Sequence, residues 1–178
     1  MVTIPDVVTH LYDPTVGVCP NICSLNDFEA LRVLDHLSRR FRATLKPDYL
    51  ARRRSTEQWL SEAARKVLGR GFDKGPGYFF LGDFSHTADV SRPATLVVPL
   101  SALPPSAITF TLGDSMSVAE QAKPRVYSLG EIVELFAIGE PVMGFGLSDR
   151  GGFQDRFVEV QVWEPASVLT PGLRIARL

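Results

Sequence analysis

Phe157-Val158-Glu159-Val160-Gln161-Val162-Trp163-Glu164 sets a carboxylate and an amide into a run whose other residues, apart from the terminal Glu164, are apolar and β-branched or aromatic. In an extended strand, side chains alternate between faces, so Val158, Val160 and Val162 share one face while Phe157, Glu159, Gln161 and Trp163 share the other. Both faces are largely apolar, which predicts a strand covered on both sides. There an unpaired carboxylate costs several kcal/mol unless it is hydrogen-bonded, neutralised or open to a cleft. Glu159 is therefore the first candidate for chemistry. Gln161, roughly 6.5–7 Å further along the same face, is a candidate second contact to whatever the cleft holds. The competing expectation is an edge strand with both polar side chains in water.

Working outward, Val7 to Tyr12 reads as a short strand, and Pro14, Gly17, Pro20 and Asn21 make the next stretch a loop. Phe28, Leu31, Leu34, Leu37 and Phe41 recur at helical spacing, so residues 26–42 form an amphipathic helix capped by Ser24 or Asn26, with those five as its core face. Pro47-Asp48 opens a second helix, whose stripe Tyr49, Leu50, Trp59, Leu60, Ala63, Ala64, Val67 and Leu68 stops at Gly69. Together the two predict a helical hairpin over residues 26–69. Tyr78–Leu81, Ala94–Leu100 and Ile108–Leu112 read as strands. The linker 101–106 is too short for a helical crossover and predicts an antiparallel neighbour. Ser117 with Glu120, and Ser128 with Glu131, match capping boxes for helices at 117–122 and 129–138. Gly144, Gly146, Gly151 and Gly152 suggest a glycine-rich hairpin, and Leu173–Ala176 a last short strand. The fold class is α+β, one domain over 1–178, with a mainly antiparallel or mixed sheet and the inserted hairpin.

The 178 residues, 45% apolar, suffice for a sizeable core. No apolar run approaches the roughly 20 residues of a membrane span, and no Lys or Arg precedes Arg32, so the expectation is a cytoplasmic protein without a signal segment or membrane contact. Charge is segregated. Residues 32–74 hold 12 Lys/Arg against 5 Asp/Glu, leaving the remainder at −8. The Arg52-Arg53-Arg54 triplet is the candidate phosphate- or nucleic-acid-binding element, and the segment 32–74 supports an alternative function as a non-enzymatic module that binds nucleic acid or protein. No aromatic residues interleave these arginines, which favours a solvated helix face.

Cys19 and Cys23 are four apart, a spacing outside the common redox and zinc motifs, so two reduced thiols in a turn are expected and no metal site is assigned. P-loop, dinucleotide-fingerprint, zinc-peptidase and nucleophile-elbow motifs are absent. Ser85-His86 with Asp114-Ser115 supplies the residue types of a triad, which only geometry could assemble.

One constellation is coherent: His10 on the first strand, Tyr78 opening a strand after the helices, and Glu159 on the late strand. Their order resembles the ADP-ribosyltransferase superfamily of the His-Tyr-Glu type, in scattered segments covering about a fifth of the chain. The resemblance implies that NAD is the substrate, with His10 and Tyr78 positioning the dinucleotide and Glu159 as the catalytic carboxylate, which would favour the positive charge that develops as the glycosidic bond breaks. It implies an NAD-dependent ADP-ribosyltransferase or NAD glycohydrolase-like protein with a protein or nucleic-acid acceptor. The small hydroxyl residue usual after the His is missing, since Leu11, Tyr12 and Asp13 follow His10.

Overall fold

The computed structural model describes residues 3–15, 18, 21–41, 46–87, 92–139, 144–147 and 153–165. In chain order these form β1 (Val7–Tyr12), α1 (Asp27–Phe41), α2 (Tyr49–Leu68), β2 (Gly77–Leu81), β3 (Ala94–Pro99), β4 (Ile108–Leu112), α3 (Ser115–Ala119), α4 (Leu129–Ala137), β5 (Gly144–Leu147), β6 (Phe153–Arg156) and β7 (Val158–Val162). Five strands make one sheet in the order β3-β1-β2-β7-β4, and every neighbouring pair is antiparallel. The α+β class follows directly. β5 and β6 form a separate antiparallel hairpin where the glycines predicted one. The last short strand expected at Leu173–Ala176 lies outside the described residues, as do Cys19, Arg42 and the turn at 148–152.

The opening stretch is central. β7 lies between β2 and β4, with Tyr78 and Thr109 opposite Gln161, and Phe80 and Thr111 opposite Glu159. Cross-strand partners share a face, so Tyr78, Phe80, Thr109, Thr111, Glu159 and Gln161 line one side of the sheet. Phe79, Leu81, Ile108, Phe110, Val158, Val160 and Val162 line the other and join Ile132 and Phe136 of α4 in the main core. On the polar side, Leu60 and Ala64 of α2 close over Trp163 and Val126, with Tyr78 at the margin.

The linker after β3 does not lead to an antiparallel neighbour. β3 and β4 occupy opposite edges and, from the chain of antiparallel pairings, run in the same direction. Leu100 and Leu103 are buried among the core residues, so the linker gains more by crossing the apolar face than by turning back on β3.

The helices form where expected, but the buried side of α1 is shifted from the expected one, keeping Leu34 and leaving out Phe28 and Leu31. Phe28 and Leu31 are 71% and 58% exposed, whereas Ala30 is fully buried and Val33 and Leu34 face a cavity. The Arg32 guanidinium covers the Phe28 ring at 5.8 Å from its centroid. Asn26 caps α1 by accepting from Glu29 N at 3.0 Å. The two helices follow one another between β1 and β2, yet few of their residues approach across the pair; a link between them is Arg54 with Asp27. α2 ends at Gly69, whose φ of 70° and N–H to Arg65 O make a left-handed cap.

One of the two expected capping boxes forms. α4 begins with the complete box: Ser128 Oγ accepts from Glu131 N at 3.3 Å while Glu131 Oε2 accepts from Ser128 N at 2.8 Å. Ser128→Ala is expected to cost about 1 kcal/mol in a denaturant titration. α3 instead starts at Ser115, capped by Asp114 Oδ1, which accepts from Met116 N and Ser117 N. Asp114 outcompetes Ser117 because a charged acceptor makes the stronger bond to the helix N-terminus.

Candidate functional site

The sheet opens between β1 and β2. Their ladder runs only through Val8–Leu81 and Thr9–Phe80, after which His10 to Tyr12 pair with β3 alone and Gly77 and Tyr78 with β7 alone. At the parting, the Tyr78 carbonyl has lost its ladder partner, and His10 Nδ1 supplies one, donating to it at 2.7 Å. That bond selects the Nδ1–H tautomer and makes Nε2 the ring's acceptor. Burial holds the imidazole below its ordinary pKa, against the Tyr78 carbonyl and with help from Arg92, so His10 is neutral at pH 7.

A cavity of about 420 Å³ fills the opening. It is within the range of small-molecule sites. His10, Tyr78 and Glu159 all line it, as do Arg53 and Tyr49 of α2, Val33 and Leu34 of α1, Arg92, and Asp114 at the start of α3. Three strands far apart in sequence thus bring the three residues of the His-Tyr-Glu constellation to one space.

Glu159 is 7% exposed. Burial pushes its carboxyl up to about 7; the nearby negative charge of Asp114 adds to this, while Ser115, Gln161 and the Arg53 cation pull the other way. Gln161 Nε2 donates to Glu159 Oε1 at 3.0 Å. Ser115 is fully buried, and its hydroxyl is the one buried side-chain polar atom among the described residues that lacks a hydrogen-bond partner. It lies near the Glu159 carboxyl without hydrogen-bond geometry, close enough to favour the anion.

Gln161 is sealed from solvent and absent from the cavity lining. Its amide is occupied by Thr109, Thr111 and Glu159. Gln161, expected as a second contact to a ligand, instead hydrogen-bonds the Glu159 carboxyl that lines the cavity.

The arginine triplet is dispersed by helical geometry, since successive residues point about 100° apart. Arg52 pairs with Glu120 on the surface, and Arg54 reaches Asp27 and the Leu25 carbonyl. Arg53 points inward, its side chain 12% exposed, with its guanidinium 4.0 Å above the Tyr78 ring and 3.9 Å from Glu57. Burial opposes its charge, but Tyr78, Glu159, Tyr49 and Glu57 outweigh that and raise its pKa. The three do not form one phosphate-binding patch. Tyr78 donates its hydroxyl to Glu57 at 3.0 Å, and burial drives its pKa far up, so it acts by shape and ring face rather than as an acid.

Sequence reasoning did not single out Glu57, and it noted Arg53 only within the arginine triplet and Asp114-Ser115 only as triad residue types, not beside Glu159. Only the four-residue spacing of Arg53 and Glu57 on one helix offered a signal. His86 is exposed on a turn at Ser85–Thr87 and does not line the cavity with Asp114, so the triad residue types do not assemble there. His36 is exposed on α1. Cys23 lies in a 3-10 turn, where burial and the Glu57 charge push its thiol up to about 12, too high for a nucleophile at neutral pH. Among the described residues no cluster of His, Cys, Asp or Glu could hold a metal ion, and no helix is long and apolar enough to cross a membrane.

Fold and site together define an α+β protein whose opened antiparallel sheet places a buried, proton-poised carboxylate in a cleft. Comparison with protein-family models, with curated proteins and with solved structures found no match.

Proposed function

We propose that the protein cleaves the nicotinamide-ribose bond of NAD, as an NAD glycohydrolase or as an ADP-ribosyltransferase with a protein or nucleic-acid acceptor. The observation that carries the reading is the convergence of His10, Tyr78 and Glu159, from β1, β2 and β7, on one cavity of about 420 Å³. Each group has the chemistry its role needs. Neutral His10 presents its imidazole on the cavity wall, where it would position a ribose. Tyr78 offers an aromatic face, and its hydroxyl bond to Glu57 stops the ring from turning.

Glu159 must be anionic to stabilise an oxocarbenium-like transition state. Burial pushes its carboxyl up to about 7, so at neutral pH the anion is only part of the population. A positively charged nicotinamide ring entering beside it favours that anion. Because the active form is the deprotonated one, kcat/KM is expected to rise with pH and level off above an apparent pKa near 7.

The test is nicotinamide release from NAD between pH 5 and 9, alone and with protein or RNA acceptors added. Release by the wild type with an acid limb near pH 7, lost on Glu159→Gln, supports the reading; no release under any of these conditions overturns it.

A further inference from the structure

Behind Glu159 runs a chain of hydrogen bonds that is sealed from solvent along its length. Trp163 Nε1 donates to Thr109 Oγ1 at 2.9 Å, Thr109 Oγ1 to Gln161 Oε1 at 3.0 Å, and Gln161 Nε2 to Glu159 Oε1 at 3.0 Å. The second amide hydrogen of Gln161 goes to Thr111 Oγ1 at 3.0 Å, and that hydroxyl donates onward to the Gly113 carbonyl at 3.0 Å. Thr109, Thr111 and Gln161 are all 0% exposed.

The chain has a direction. An indole N–H can only donate, so Thr109 receives it and has its own hydrogen to give, which finds the Gln161 carbonyl oxygen. Thr111 spends its hydrogen on the Gly113 carbonyl, so toward Gln161 it can only accept. Both neighbours therefore demand the same orientation of the amide, carbonyl to Thr109 and NH₂ to Thr111 and Glu159. Reversed, the amide would set its oxygen against a hydroxyl lone pair and a carboxylate oxygen.

We infer that Thr109 and Gln161 are positioning residues, through which the sheet keeps Glu159 Oε1 as a permanent hydrogen-bond acceptor and leaves Oε2 as the oxygen that takes up or gives up a proton. Oε1 faces an N–H that it cannot replace, so in the neutral acid the hydrogen sits on Oε2. The same N–H donates to the anion, so the carboxyl keeps one orientation through its proton cycle. The buried Ser115 hydroxyl lies near the carboxyl without hydrogen-bond geometry and so fixes neither oxygen. The charged and titratable groups that share the cavity with Glu159 are Arg53 and Tyr49 of α2, Asp114 ahead of α3, Tyr78 of β2, His10, Tyr12 and Asp13 at β1, and Arg92, and none of them belongs to this chain of hydrogen bonds. Its consequence for catalysis rests on the proposed role of Glu159, whereas its effect on the carboxyl does not.

The experiment is a carbon-13 NMR titration of the Glu159 carboxyl in the ligand-free protein, for wild type, Thr109→Val and Thr109→Ser, alongside pH profiles of nicotinamide release. Thr109→Val keeps the shape of the side chain but leaves the Gln161 carbonyl without its donor, so the amide is held toward Glu159 by Thr111 alone and its bond to Oε1 weakens. The wild-type midpoint near 7 is expected to rise by about one pH unit in the Val variant and return in the Ser variant. An unchanged midpoint in Thr109→Val, or an equal rise in Val and Ser, overturns the inference. If Thr109→Val does not fold, Trp163→Phe, which removes the donor that orients Thr109, is expected to raise the midpoint too, and no rise there overturns it. A midpoint that moves as expected in a protein that releases no nicotinamide sustains the positioning role and removes the catalytic reading.

Discussion

Glu159→Gln is expected to stabilise the folded protein at pH 8 by up to about 3 kcal/mol while abolishing nicotinamide release. The folded carboxyl titrates near 7 and the unfolded one near 4.5, so between these values the native state holds a proton that the unfolded chain has released. Stability therefore falls as pH rises through that window, and above it the full cost of a buried anion is present. A glutamine carries no charge to desolvate and can still accept from Gln161 Nε2, so its stability has no such slope. In thermal unfolding the variant should exceed wild type by roughly 5–10 °C at pH 8 and match it at pH 5. If Glu159 acts as proposed, the rate should fall at least about a hundredfold, since the group that would stabilise charge in the transition state has been removed. A variant less stable than wild type at both pH values would show that the carboxylate holds the fold together. The expected pattern marks a site that gives up stability to keep a reactive group in place.

The second large effect is expected at Arg53. Arg53→Ala removes the cation that faces both Glu57 and Glu159, leaving two carboxylates short of compensation in a poorly hydrated cleft. Breaking a buried pair by deleting one partner costs about 3–5 kcal/mol, and this pair, long at 3.9 Å, belongs at the lower end. Losing the cation also raises the Glu159 midpoint further, so the acid limb of any activity moves to higher pH. Arg52→Ala and Arg54→Ala remove exposed ion pairs and should leave denaturant midpoints unchanged. The comparison separates the cleft from a basic surface: RNA binding that weakens alike with each of the three substitutions would favour the module that residues 32–74 suggested.

Much of the fold could be read locally. The strand at Val7–Tyr12, both long helices, the capping box of α4 and the glycine-bounded hairpin all depend on signals within a few residues, where propensity and capping act. The failures share a cause. The face that α1 buries, the edge that β4 occupies and the fate of Arg53 each depend on what lies opposite, and no local pattern carries that. Phe28, Leu31 and Leu34 all satisfy helical periodicity, yet the packing kept only Leu34 of these and added Ala30 and Val33.

At the site the division is sharper. The sequence alone determined that 157–164 is a strand with a carboxylate out of place, because alternation and the cost of burying charge are properties of the run itself. Only the tertiary structure decided that this strand is central, that β1 and β2 part beside it, and that His10, Tyr78 and Glu159 meet there. It also decided that Gln161 serves Glu159 rather than a ligand. A hydrogen-bond partner is chosen by proximity in space, and Thr109 and Gln161 are 52 residues apart in the chain.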